Sequence, residues 1–234
     1  MNSSKNIAII PARGGSKRIP RKNIKDFLGK PIIAYSIEAA IKSELFDEVM
    51  VSTDDDEIAE IAKKYGAKIP FRRSNKNSND FANTTNVLLE VLEKYQKAGR
   101  EYNYFCCLYP TSPLVTSKIL KDSFSLMINK KADGLFPVVK FSYPVQRAFR
   151  INSKGKLEYI WPENINKRSQ DLEPVFHDAG QFYWMKRKIF IKEKKMLYDN
   201  IIPYILSALQ VQDIDNEEDW DIAKIKFSVF DERK

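Results

Sequence analysis

Five cations crowd ten positions near the start of the chain: Arg13, Lys17, Arg18, Arg21 and Lys22, set around the pair Gly14-Gly15. Glycine lets backbone N–H groups approach a ligand closely, and clustered Arg and Lys favour an anion. The stretch follows a short apolar run at residues 7–10 that breaks at Pro11, so it reads as a loop leaving a buried strand. Such a loop is either a phosphate site or a solvated basic turn. It is not a Walker A loop or a G-x-G-x-x-G dinucleotide turn, because neither pattern is present.

Far along the chain stands the opposite charge. Asp213-Ile-Asp215 places two carboxylates two residues apart, and on an extended segment such residues face the same way. With no His or Cys beside them, they suit a hard, oxygen-seeking cation such as Mg²⁺. The competing reading is helix capping, since the acids from Asp215 to Asp219 stand where a helix N-terminus favours negative charge. Both hold if the pair takes the metal and the later acids serve the helix. The single histidine, His177, cannot join a His-rich metal site. A Ser–His–Asp triad has no G-x-S-x-G elbow to support it.

The elements that must position these groups alternate strand and helix. Strands are expected at residues 7–10, 48–54, 67–71, 104–109, 134–139, 178–185 and 204–211. Helices are expected at 31–42, 57–65, 84–97, 117–129 and 217–227, and 186–195 reads as a basic helix or loop. In the first helix Ile33, Ile37, Ala40 and Ile41 share the apolar face, and Asp55 or Asp56 can cap the second. This rhythm predicts an α/β fold, a mostly parallel sheet with helices on both faces. Ligands in such sheets bind at the carboxyl ends of strands, near a change in strand order. The Arg13 loop, Ser52-Thr-Asp54 and Pro110-Thr-Ser112 all fall at those ends, which favours the phosphate reading of the loop. Between 140 and 176 the rhythm fails, so an excursion serving as lid, arm or oligomer contact is expected inside a single domain spanning 1–234.

With 234 residues, 43% hydrophobic and 12% aromatic, the chain can bury a full-sized core. Its apolar runs are too short to span a bilayer, and the first six residues show no apolar signal region. Cys106 and Cys107 are neighbours on one strand, point to opposite faces and read as core residues of a cytoplasmic protein. The net charge of +8 suits a polyanion, but no helix-turn-helix or zinc-knuckle pattern accompanies it, so nucleic acid is not the expected partner.

The run from Ile10 through Ala12, Arg13, Gly14, Ser16, Lys17 and Lys22 to Asn23 resembles the signature of sugar-acid cytidylyltransferases, which make CMP-activated nonulosonic acids. Val51-Ser-Thr-Asp54, Leu108-Tyr-Pro-Thr-Ser-Pro-Leu114 and Asp213-Ile-Asp215 resemble further motifs of that family in the same order. His177-Asp-Ala-Gly-Gln-Phe-Tyr-Trp184 is most similar to the pseudaminic acid branch. The resemblance implies a nucleotide-diphospho-sugar transferase-like fold, CTP and a nine-carbon sugar acid as substrates, Mg²⁺ on Asp213 and Asp215, and a homodimer. It implies nucleotide contacts from Ala12, Arg13, Gly14, Ser16, Lys17 and Asn23, with Lys22 a phosphate cation of the catalytic group. Arg72 and Thr84 fall where the family reads cytosine, and Asp54 where it orders the loop or ribose side. Sugar contacts are implied for Tyr109, Thr111, Ser112, His177 and Gln181. Neuraminate-specific members commonly carry Gln at the place of Tyr109 and Arg at that of Val115, which points away from plain sialic acid. Legionaminate or N-acetylneuraminate activation is the alternative within the class. A catalytically silent nucleotide-binding module would not need both carboxylates, and an RNA-binding protein would release no pyrophosphate.

Overall fold

The computed structural model describes residues 5–79 and 82–231. In chain order the strands are β1 (Asn6–Pro11), β2 (Asp26–Phe27), β3 (Lys30–Pro31), β4 (Glu48–Ser52), β5 (Tyr104–Leu108), β6 (Gly134–Lys140), β7 (Phe149–Ile151), β8 (Leu157–Tyr159), β9 (Phe176–Asp178), β10 (Phe182–Lys186) and β11 (Ile201–Leu206). The helices are α1 (Ile32–Ser43), α2 (Asp56–Lys64), α3 (Thr84–Lys97), α4 (Ser117–Asn129), α5 (Arg187–Glu193) and α6 (Glu217–Asp231). A seven-stranded sheet runs β11-β6-β10-β5-β1-β4, with β9 paired to β6. β1 is parallel to β4 and β5, and β11 to β6. β10 runs antiparallel to both β5 and β6, so those two share one direction. The expected mostly parallel sheet is therefore present with two reversed strands, β10 inserted between β5 and β6 and the short β9 also antiparallel to β6.

Strand alternation splits the core in two. Ala8, Ile10, Val51, Cys106 and Leu108 pack under α1, α2 and α4. Ile7, Ile9, Met50, Phe105 and Cys107 pack under α3 and α5. The adjacent cysteines thus face opposite cores, buried and unpaired as expected. A third, smaller cluster joins Ile19, Phe27, Ile32, Ile214, Trp220 and Ala223. No helix among the described residues is long and apolar enough to cross a membrane.

Four expectations need correction. Residues 67–71 form no strand: only Lys68 bridges to Met50, and Pro70 cannot donate to a longer ladder. The segment 178–185 is two strands, broken where Gly180 adopts φ +62°. β11 begins at Ile201, ahead of the expected 204, because a sheet edge tolerates Pro203, and beyond Leu206 the chain turns at Ala208–Gln210. Ile41 is 42% exposed rather than on the buried face of α1. Between β6 and β9 the chain leaves the sheet, as expected, and forms the separate hairpin β7–β8.

Candidate active site

From β1 the chain crosses to β4 on one side, then returns to β5 on the other. The carboxyl ends of β1 and β5 therefore flank a switch in strand order, where an open α/β sheet leaves a crevice. The basic loop hangs over it. Ala12 is fully buried, and its N–H donates to the Ser52 carbonyl at 2.9 Å, prolonging the β1–β4 ladder. The Gly14 N–H donates to Asp54 Oδ1 at 3.1 Å, so Asp54 orders the loop. A Cβ on Gly14 would stand 2.7 Å from Asp55 Oδ2, which explains glycine there. Buried Asn23 donates from Nδ2 to the Arg13 carbonyl at 2.9 Å and ties the loop to its own return.

Arg21 is committed to that scaffold: it donates to Asp55 at 2.5 Å and reaches Glu57. Its guanidinium holds the Asp55 carboxyl down at about 2, and Asp55 also caps α2. Arg13, Ser16, Lys17, Arg18, Lys22 and Asn23 line a cavity of about 200 Å³, closed on the far side by Tyr109 and Thr111. Seven of the residues expected at the site, Arg13, Ser16, Lys17, Lys22, Asn23, Tyr109 and Thr111, thus meet in one small polar cavity.

The acidic pair arrives from the other end of the chain, and buried apolar side chains set where it lands. Ile214, between the two carboxylates, packs with Ile19 of the basic loop and Trp220 of α6. Lys22 donates from Nζ to the Ile214 carbonyl at 2.5 Å and stands 3.9 Å from Asp215 Oδ1. Arg18 Nη2 lies 2.7 Å from the same Asp215 oxygen. Burial pushes the Lys22 amine down, opposed by Asp215 and Asp213, whereas burial and the Asp215 charge push the Asp213 carboxyl up. A cation between the carboxylates would relieve both effects on Asp213. Helix capping falls elsewhere: Asn216 Oδ1 accepts from the Asp219 N–H at 2.9 Å, and Asp219 Oδ2 accepts from the N–H groups of Asp215 and Asn216. Neither carboxylate of the pair supplies that cap. No group of three or more His, Cys, Asp or Glu able to hold a metal occurs among the described residues. Two carboxylates with no nitrogen or sulfur ligand fit Mg²⁺, which takes the remaining oxygens from substrate phosphates and water.

Beside this junction lies a larger cavity of about 490 Å³, lined by Lys140, His177, Asp178, Val211, Asp213 and Asp215 among others. His177 is exposed there, its Nδ1 2.9 Å from the Asp178 carbonyl and its ring against Phe141. Tyr109 OH lies 3.2 Å from the Thr84 hydroxyl, and burial pushes the phenol up to about 12. Three expected contacts turn elsewhere. Gln181 is 1% exposed and donates to the Gln210 carbonyl at 3.0 Å, while its own carbonyl receives Tyr109 N–H and the Ser112 hydroxyl. Gln181 and buried Ser112 are struts where β5, β10 and the turn at 208–210 meet. Arg72 donates to the Asp55 carbonyl and pairs with Asp56 on the surface. Arg73 turns inward instead, donating to the Ser52 hydroxyl and carbonyl, because successive residues of an extended segment face opposite ways. Val115 is buried in the core under α4.

Sheet, switch-point crevice, basic loop and opposed acidic pair together define an α/β protein of the nucleotidyltransferase class. More narrowly, the chain belongs to the cytidylyltransferase family, whose model matches residues 7–225. It is 45% identical over 225 residues to the pseudaminic acid cytidylyltransferase of Campylobacter jejuni, covering 96% of this chain and 97% of that one. It is 31% identical to the CMP-N,N'-diacetyllegionaminic acid synthase of Legionella pneumophila, covering 92% of each. Among solved structures, a CMP:2-keto-3-deoxy-manno-octonic acid synthetase complexed with CTP shares the fold at TM-score 0.70 and 20% identity, covering 98% of this chain and all of that one.

Proposed function

We propose that the protein transfers CMP from CTP to the anomeric hydroxyl of a nine-carbon sugar acid, pseudaminic acid, releasing pyrophosphate. The observation that carries this is the meeting of two charges: Arg18 and Lys22, lining the smaller cavity, pair with Asp215, which with Asp213 lines the larger one. The strong likeness to the Campylobacter jejuni enzyme supports the choice of sugar. The physical difficulty is an anionic sugar acid approaching an anionic triphosphate. Two unit charges at about 4 Å repel by roughly 4 kcal/mol at an intermediate dielectric. Arg13, Lys17 and Lys22 hold the phosphates, Arg18 exchanges its carboxylate partner for a phosphate oxygen, and Tyr109 and Thr111 close the opposite wall. Asp213 and Asp215 hold Mg²⁺, which when bound neutralises phosphate charge and lowers the pKa of a nearby hydroxyl.

The test pairs each nucleoside triphosphate with pseudaminic, legionaminic and N-acetylneuraminic acids in the presence of Mg²⁺, with products read by mass spectrometry. CMP-pseudaminate from CTP is the expected product. Preference for another sugar acid moves the reading within the class, and no product from any CTP pairing sinks it.

The same reading includes a homodimer and a cytoplasmic site of action. The hairpin β7–β8 presents Ile151 and Leu157, 74% and 71% exposed, with Phe149 beside them. A second copy of this chain is the partner proposed for that face, because an exposed apolar hairpin so far from the core is otherwise an aggregation hazard. Light scattering should give twice the chain mass, and Ile151→Lys with Leu157→Lys should give one. A wild-type monomer at assay concentration overturns the dimer. Unpaired, fully buried Cys106 and Cys107 accord with a reducing compartment.

A further inference from the structure

The end of β9, just before the strap to β10, carries a carboxylate to which neither phosphate binding, metal binding nor helix capping gives a role. Asp178 is exposed and lines the larger cavity. Its carboxylate is nonetheless fixed at both oxygens: Tyr183 OH donates to Oδ2 at 2.8 Å and the Gly180 N–H donates to Oδ1 at 2.9 Å. Tyr183 is itself 4% exposed, locked by its ring between Tyr109 and Phe136. Gly180 adopts φ +62°, and a Cβ placed on it would lie 3.8 Å from Asp213 Oδ2. Strap and acidic pair therefore form one wall.

We propose that Asp178 is a specificity-determining residue that accepts a hydrogen bond from the N–H of an acylamino substituent on the sugar acid. The assignment rests on the sugar-acid reading above. A carboxylate in this position repels the sugar's own carboxylate and every phosphate, so the part of the ligand it favours is a hydrogen-bond donor. Each oxygen already accepts one bond and retains room for another. Val139, Ala179 and Val211 line the same cavity and offer an apolar surface for the acyl methyl group. A hydroxyl at that place also donates, but it brings nothing to those side chains. Tyr183 acts through Asp178 as a positioning residue.

The experiment compares an acylamino nonulosonic acid with its deaminated analogue, which carries hydroxyl instead, at saturating CTP. Wild-type enzyme should prefer the acylamino sugar. Asp178→Asn should raise the KM for that sugar by about ten- to hundredfold, the worth of one hydrogen bond to a charged group, with kcat and the KM for CTP little changed. Its preference should fall to near parity. Tyr183→Phe, which leaves the carboxylate but frees it, should lose part of the preference. Equal losses on both sugars, an unchanged preference, or a loss carried by the KM for CTP overturns the role of Asp178. Should wild type turn over neither sugar, the proposed function fails. Calorimetric titration of both sugars into wild type and Asp178→Asn then decides the residue, with absent or equal binding counting against it.

Discussion

Asp213→Asn is expected to lower kcat/KM by about a thousandfold or more while the protein stays folded, because a metal acting on transferring phosphoryl oxygens supplies several kcal/mol. The fold should survive for a geometric reason. The cap of α6 is built from Asn216 and Asp219, and the buried anchor of the segment is Ile214. Neither needs the Asp213 charge. Its carboxyl is raised by burial and by Asp215, so the folded state binds its proton more tightly than the unfolded chain does. A group shifted that way favours folding below its unfolded pKa, and the contribution disappears as pH rises through the folded pKa. At neutral pH the charged form is therefore a burden, and the neutral isostere removes it. Thermal melting should show no loss for Asp213→Asn, and the rise in melting temperature that Mg²⁺ with CTP gives the wild type should vanish. Undiminished turnover would place the metal elsewhere. An unfolded variant would mean that the pair is structural after all.

What can be read from the chain before folding follows from where the physics is local. β1, β5, α3 and α4 each declare themselves through an apolar run or a helical period with a cap, and the structure returns them within a residue or so. The reversed direction of β10 has no such signature, because a strand buried on both faces is apolar whichever way it runs. The site divides the same way. The basic loop and the acidic pair are visible as charge, but what brings them together is Ile19 against Ile214, two ordinary apolar residues some two hundred positions apart. Irregular segments hide more. Of Arg72 and Arg73, only the backbone decides which turns inward, and around the strap it is Asp178, at the end of β9, that faces the cavity while Gln181 closes the core. No period exists in such stretches, so residue type is informative and direction is not.

Arg73 carries the second large expectation. Arg73→Met should weaken CTP binding by about a hundredfold, within what losing charge-assisted hydrogen bonds costs, and should not lower the melting temperature. The side chain is 8% exposed, and burial pushes its guanidinium down to about 10, an unusual depression for an arginine. Nε donates to the Ser52 hydroxyl at 3.1 Å and Nη2 to the Ser52 carbonyl. Asp54 and Glu90 favour its charge from a distance, without a direct hydrogen bond. Removing a cation from water without an adjacent counter-ion works against folding, so an apolar side chain of similar length is neutral or better there. A residue retained against that penalty is explained by what it meets when substrate binds. The Arg13 charge disfavours the Arg73 guanidinium further. A guanidinium has five N–H donors in a planar fork, and cytosine offers a carbonyl oxygen and a ring nitrogen side by side as acceptors. The expectation is therefore that Arg73, rather than Arg72, reads the base. Arg73→Lys should recover little, since a compact ammonium cannot meet two acceptors in one plane. Calorimetric CTP titration and thermal melting, run on the same three proteins, separate the accounts. If Arg73→Met melts several degrees lower, roughly 2–4 °C per kcal/mol for a chain of this size, and binds CTP as before, the arginine is a strut of the β4 loop and the base is read elsewhere.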